Sequence, residues 1–179
     1  MPVLFWVGDF DIIAWMSESV EESIQNVKPT LAELLPQASP MLLLTGYEEP
    51  SEEGAVKAYV DVSADSPFFD PEGGGVPGCV ALEYMAQAMA LCVGLVRRRQ
   101  GLPPQVGFLL GSRCFEVLVA FFCPGRRYGV RANCIYQDGE MGSFDCQVLD
   151  SEGHIAARAT LMAYLPPEEM TLEKLKEFA

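Results

Sequence analysis

The sequence predicts an α+β protein in which an antiparallel β-sheet wraps around one long central helix. Three observations predict it. Residues 78–99 are a run of good helix formers, announced by Gly73-Gly74-Gly75-Val76-Pro77-Gly78 and closed by Arg97-Arg98-Arg99. Gly and Pro punctuate a helix start, and cations suit a helix C-terminus. The interior of that run is apolar at nearly every position, so the helix is buried on most sides. Four strand-like runs joined by short turns follow it, which implies antiparallel pairing. A single sheet covers only one side of such a helix. A second subunit or the N-terminal region must close the rest, most simply in a C2 dimer.

Composition sets the outer bounds. With 179 residues, half of them hydrophobic, the chain suffices for one domain with a full core. The formal net charge of −13 argues against nucleic acid as a partner. Basic residues are uneven: eight arginines fall between 97 and 158. The six cysteines form no CxxC pair, and most sit in apolar runs, as buried reduced thiols of a cytoplasmic protein would. One histidine and no ligand spacing argue against a metal, and nothing calls for a cofactor. Residues 1–15 are apolar but carry Asp9 and Asp11 without a basic flank, which fits neither a signal peptide nor a membrane span. Residues 1–29 are read as an N-terminal extension, with Met16 as an alternative start. Residues 30–166 form the domain, and 167–179 end in a short helix.

In order along the chain, Ser17 to Asn26 reads as a short helix or loose segment. Thr30-Leu31-Ala32-Glu33 fits a capping box, starting a helix that ends before Pro36. Met41 to Thr45 is a short apolar run read as a buried strand. Glu48 to Gly54 is an acidic turn, and Ala55 to Val62 a strand. Ser66 to Glu72 is a proline-pinned loop leading to the central helix. The later strands are Val106 to Val119, bending near Gly111, then Arg127 to Tyr136, Ser143 to Leu149, and His154 to Leu165. Thr171 to Ala179 reads as the C-terminal helix.

Inside the central helix only Glu83 and Gln87 interrupt the apolar run. They are four apart and share one face. A carboxylate there is costly unless it is paired or does chemistry.

Pro77-Gly78-Cys79-Val80-Ala81-Leu82-Glu83-Tyr84-Met85-Ala86-Gln87-Ala88 resembles the helix-start motif of hotdog-fold β-hydroxyacyl-(acyl carrier protein) dehydratases. Leu34-Leu35-Pro36 with Met41-Leu42-Leu43-Leu44 is similar to their first helix and strand. Gly107-Phe108-Leu109-Leu110-Gly111-Ser112-Arg113 is similar to the strand after the helix, and Cys123-Pro124-Gly125 to the turn beyond. The wording is closest to the branch found in aryl-polyene-type gene clusters, over residues 30–166. The resemblance implies a hotdog fold and a dimer with acyl-thioester tunnels at the subunit interface. The expected partners are an acyl thioester on acyl carrier protein or CoA and a second copy in a homodimer, the alternative being a heterodimer with an active paralogue. The resemblance implies Glu83 as the acid acting on the C3 hydroxyl. It places Gly78 where an amide polarises the thioester carbonyl, beside Cys79, and Gln87 where it supports the acid.

Dehydration also needs a base for the C2 proton. The family places a histidine in the loop before the helix or, in a related branch, after the Leu-Pro. Here that loop reads Phe69-Asp70-Pro71-Glu72-Gly73, and Gln37 follows Pro36. The expected function is therefore dehydratase-like with the usual histidine missing. The alternatives are a thioesterase using Glu83, which needs no histidine, and an inactive acyl-binding or heterodimer subunit.

Each candidate also has a plainer reading. Glu83 is an acid at work or one merely held by Gln87 and helix amides. Asp70 and Glu72 are replacement bases or solvated loop carboxylates. His154 is a base or a surface turn residue, and Cys79 a nucleophile or a packed thiol. Arg97, Arg98 and Arg99 with Arg126 and Arg127 dock an acidic carrier protein or cap a helix dipole. The phenylalanines, Phe68, Phe69, Phe108, Phe115, Phe121 and Phe122, line a tunnel or fill the core.

Overall fold

The computed structural model describes residues 28–48 and 55–167. Its elements are helix α1 (Leu31–Leu34), strands β1 (Gly46–Tyr47), β2 (Ala55–Asp61) and β3 (Val76–Pro77), a 3-10 turn (Gly78–Val80), helix α2 (Ala81–Arg99), and strands β4 (Phe108–Val117), β5 (Phe121–Phe122), β6 (Arg127–Asp138), β7 (Met141–Leu149) and β8 (Ile155–Tyr164). Six strands form one antiparallel sheet in the order β1-β2-β6-β7-β8-β4, and β3 pairs with β5. The sheet packs around α2, whose apolar side chains form one core with the inward faces of β2, β6, β7 and β8. The 22 residues Gly78–Arg99 are long and apolar enough to cross a bilayer, yet here they are the buried axis of the sheet.

Local chemistry accounts for the framework. The Glu33 carboxylate accepts hydrogen bonds from the Thr30 amide at 2.8 Å and the Thr30 hydroxyl at 2.9 Å, fastening the start of α1. Leu35 ends that helix in extended geometry, as Pro36 requires. α1 lies so close to α2 that a Cβ on Gly94 would sit 2.0 Å from the Leu34 carbonyl, so only glycine fits there. β4 bends at two irregularities around Gly111 and Cys114.

The segment Met41 to Thr45, expected as a strand, is not one; β1 begins only at Gly46. The Leu43 and Leu44 amides donate to the Gln87 side chain rather than to a neighbouring strand. A side chain has taken the place of a ladder. The cysteine expectation holds for half the thiols: Cys92, Cys134 and Cys146 are buried, while Cys79, Cys114 and Cys123 are exposed, and all six are free. Residues Ser17 to Asn26, 49–54 and the expected C-terminal helix lie outside the described residues.

The sheet leaves one stripe of α2 less covered. Glu83, Ala86, Ala90, Val93 and Arg97 recur at helical spacing and are only partly buried. Edge strand β4 and its continuation also expose Leu109, Leu110, Phe115, Val117 and Leu118. Both features are what a helix awaiting a second covering body would show.

Candidate functional site

Glu83 stands in the first turn of α2, where a carboxylate suits the helix dipole. Its Oε1 accepts from Gln87 Nε2 at 2.7 Å. Gln87 is wholly buried and uses every hydrogen-bonding position it has. Its nitrogen also donates to the Met41 carbonyl at 2.7 Å, and its oxygen accepts from the Leu43 and Leu44 amides at 2.9 and 3.3 Å. Gln87 thus fixes Glu83 and ties the segment after Pro36 to α2.

Glu83 lines a cavity of about 190 Å³. One wall is the less covered stripe of α2, Glu83, Ala86, Ala90 and Val93, with the buried Met89 beside it. From Glu83 to Val93 this wall runs about 15 Å at the helical rise. The facing wall comes from the ends of four strands. Gln137 of β6, Gly142 of β7, Ala163 of β8 and Leu109 of β4 form one row of register partners, and all four line the cavity. The two central residues of that row carry little or no side chain, which leaves the hollow. Pro36 and Gln37 close another side, with Gln105, Glu140 and Tyr164 at the margins. A mostly apolar slot with a carboxylate at a helix start suits an acyl chain whose polar end meets Glu83.

The other candidates do not all gather here. Gly78 and Cys79 lie at a separate shallow concavity with Val117, Leu118, Val119 and Ala120. The Gly78 amide already donates to the Ala120 carbonyl at 2.8 Å, so within this protomer it is not free to polarise a thioester. A Cβ on Gly78 would meet the Val119 carbonyl at 2.2 Å, so close backbone approach is itself a reason for glycine. Asp70 accepts from the Glu72 amide at 3.0 Å within its own loop, and neither carboxylate lines the Glu83 cavity. His154 is an exposed turn residue beside Asp150, its Nδ1 3.3 Å from Asp150 Oδ2. Arg97 donates to the Pro103 carbonyl, Arg98 approaches Glu33 at 3.9 Å, and Arg127 pairs with Asp61 in bidentate fashion. Among the described residues no acidic, histidine and cysteine cluster could hold a metal.

Tyr84, next to Glu83 in sequence, faces the core and packs edge-on against Phe122. Burial pushes its phenol up to about 12, so it stays neutral. Gln37, in contrast, does reach the cavity. Gln37, which follows Pro36, thus lines the same hollow as Glu83 and is an amide that takes no proton near neutral pH.

No pattern in the sequence marks Gln137 as an inward residue, and the reason is local. Along β6 the buried residues alternate as Tyr128, Val130, Ala132 and Cys134. A bulge then inserts Ile135, since Cys134 pairs with Phe144 and Tyr136 with Ser143. One extra residue inverts every later side chain. Ile135 and Tyr136 turn outward, and Gln137, 7% exposed, turns inward.

An antiparallel sheet wrapped around one long central helix defines the hotdog-fold class. The chain belongs to the ApeP-like family of dehydratases (ApeP dehydratase), which matches residues 29–175. The 3-hydroxyacyl-[acyl-carrier-protein] dehydratase FabZ of Anaeromyxobacter dehalogenans (strain 2CP-C) is 30% identical over 161 residues, spanning 86% of this chain and 99% of the relative. A chain of the dehydratase heterocomplex ApeI:P from Xenorhabdus doucetiae superposes with a TM-score of 0.74 at 29% identity, over 85% of this chain and 98% of that one. A thioesterase-named structure, yhdA from Lactococcus lactis, has a TM-score of 0.54 at 14% identity over 70% of this chain and 96% of that one, which shows the shared fold alone. The function is accordingly dehydratase-like.

Proposed function

We propose that this chain is a β-hydroxyacyl-thioester-binding subunit of an acyl carrier protein dehydratase, supplying the acid Glu83 and taking its base from a partner subunit. The observation that carries this reading is the pairing of Glu83 and Gln37 on one cavity. Elimination breaks the C2–H and C3–O bonds and forms the C2=C3 double bond. A protonated Glu83 gives its proton to the departing hydroxyl, which leaves as water. The C2 proton needs a second group, and no imidazole lines the cavity among the described residues.

The exposed apolar edge of β4 and the uncovered stripe of α2 support a second subunit, as does the likeness to a chain from a heterocomplex. A second copy of this chain again carries Gln37, not histidine, after its Leu-Pro, so a heterodimer with a histidine-bearing relative fits the chemistry better. Acyl carrier protein is the expected carrier, as the FabZ relatives' name implies for them. Free thiols throughout the described residues support a cytoplasmic setting.

The test is to incubate the purified chain with β-hydroxyacyl carrier protein and follow products by mass. Binding without loss of water is expected from the chain alone. Unaided loss of water would overturn the need for a partner, and release of free acid would replace the dehydratase reading with thioester hydrolysis.

A further inference from the structure

Two of the cavity's glutamines are left unsatisfied. Among the described residues, Gln37 Oε1 and Gln137 Oε1 are buried without a hydrogen-bond partner. Gln137 is almost wholly buried, and both residues line the Glu83 cavity. A buried amide oxygen without a partner is destabilising, and methionine or leucine would fill the same volume without that cost. A cavity built for a plain alkyl chain gains nothing from either amide. Their presence has a physical rationale when a ligand satisfies them.

The ligand group follows from the amide. Rotation about the last side-chain bond exchanges its oxygen and nitrogen, so it meets a partner either as donor or as acceptor. A hydroxyl answers both. Glu83 on the helix wall takes the β-hydroxyl, whereas Gln137 stands on the sheet wall. Beside it, Gly142 and Ala163 leave room for a substituent. Resting on the acyl-site reading above, we propose that the acyl chain bound here carries a second hydroxyl, beyond the β-hydroxyl, held by the amides of Gln137 and Gln37.

The test uses β-hydroxyacyl pantetheine thioesters with a second hydroxyl at successive chain carbons, each paired with its methyl counterpart. Binding is measured by calorimetry on the full chain. One hydroxyl-bearing member is expected to bind at least about tenfold more tightly than its methyl counterpart, or about 1.4 kcal/mol. In Gln137→Met that ratio falls to within about twofold or inverts. The variant's melting temperature is expected to rise, which also confirms that it folds. Gln37→Met, on a loop outside the sheet, provides the second variant and weakens the same preference. Equal binding within every pair overturns this inference alone, as does a preference kept in both variants. Failure of every thioester to bind the folded chain overturns the acyl-site reading, and this inference with it.

Discussion

Gln87 and Gln137 are the same residue type in opposite environments: Gln87 lies wholly buried behind Glu83, whereas Gln137 lines the cavity from the facing sheet. Gln87 makes four hydrogen bonds, joining α2 to the segment 41–44 and holding Glu83. Gln137 leaves its oxygen unpartnered among the described residues. A fully connected buried amide rigidifies a fold, while a half-connected one weakens it. The first therefore belongs to the architecture and the second to what the cavity receives. Mutations separate the two, because they predict stability changes of opposite sign.

The largest effect is expected at Gln87. Gln87→Leu strands the Leu43 and Leu44 amides and the Met41 carbonyl, costing about 3–5 kcal/mol in denaturant unfolding. A loss below about 1 kcal/mol would mean that the clamp does not hold that segment. Next comes Gln137→Met, expected to stabilise by about 1–2 kcal/mol through removal of an unpaired amide. If it destabilises the ligand-free protein, the contrast between the two glutamines collapses. Gln37→Met acts in the same direction with a smaller gain, about 0.5–1 kcal/mol, because Gln37 is only partly buried.

The smallest effect is an exposed control. Asp61 and Arg127, register partners on β2 and β6, form a bidentate pair in solvent. Asp61→Asn is expected to cost about 0.2–1 kcal/mol. The Arg127 hydrogen bonds hold the Asp61 carboxyl below its ordinary value. The stabilisation is thus present above the unfolded-state value and is lost as pH falls through the depressed folded one. Paired urea titrations of the wild type and Asp61→Asn should converge at acid pH; a difference that grows there would contradict the assignment.

The same contrast shows how far the residues alone could lead. Glu83 and Gln87 were legible because a polar pair four apart stands out in an apolar helix, and the helix geometry joins them at 2.7 Å. The capping box and the end of α1 at Pro36 follow from local chemistry in the same way. Met41 to Thr45 was misread because its partner is a side chain about 45 positions away, which no periodicity reveals. Gln137 was hidden by a bulge that shifts inward and outward by one residue. Gly78 and Cys79, adjacent to the Glu83 helix in sequence, open onto a different hollow, because the 3-10 turn faces the end of β4 and the β4–β5 connection. Local pattern carries helices and caps; the site's second wall is a tertiary product.

The most direct test of the central claim is complementation. A histidine-bearing dehydratase subunit of the same family, with its own helix glutamate changed to glutamine, is mixed with this chain and β-hydroxyacyl carrier protein, and the product is followed by mass. No loss of water is expected from either protein alone, loss of water is expected from the mixture, and it is expected to disappear when this chain carries Glu83→Gln. Dehydration by this chain alone, or a mixture indifferent to Glu83→Gln, would contradict that claim.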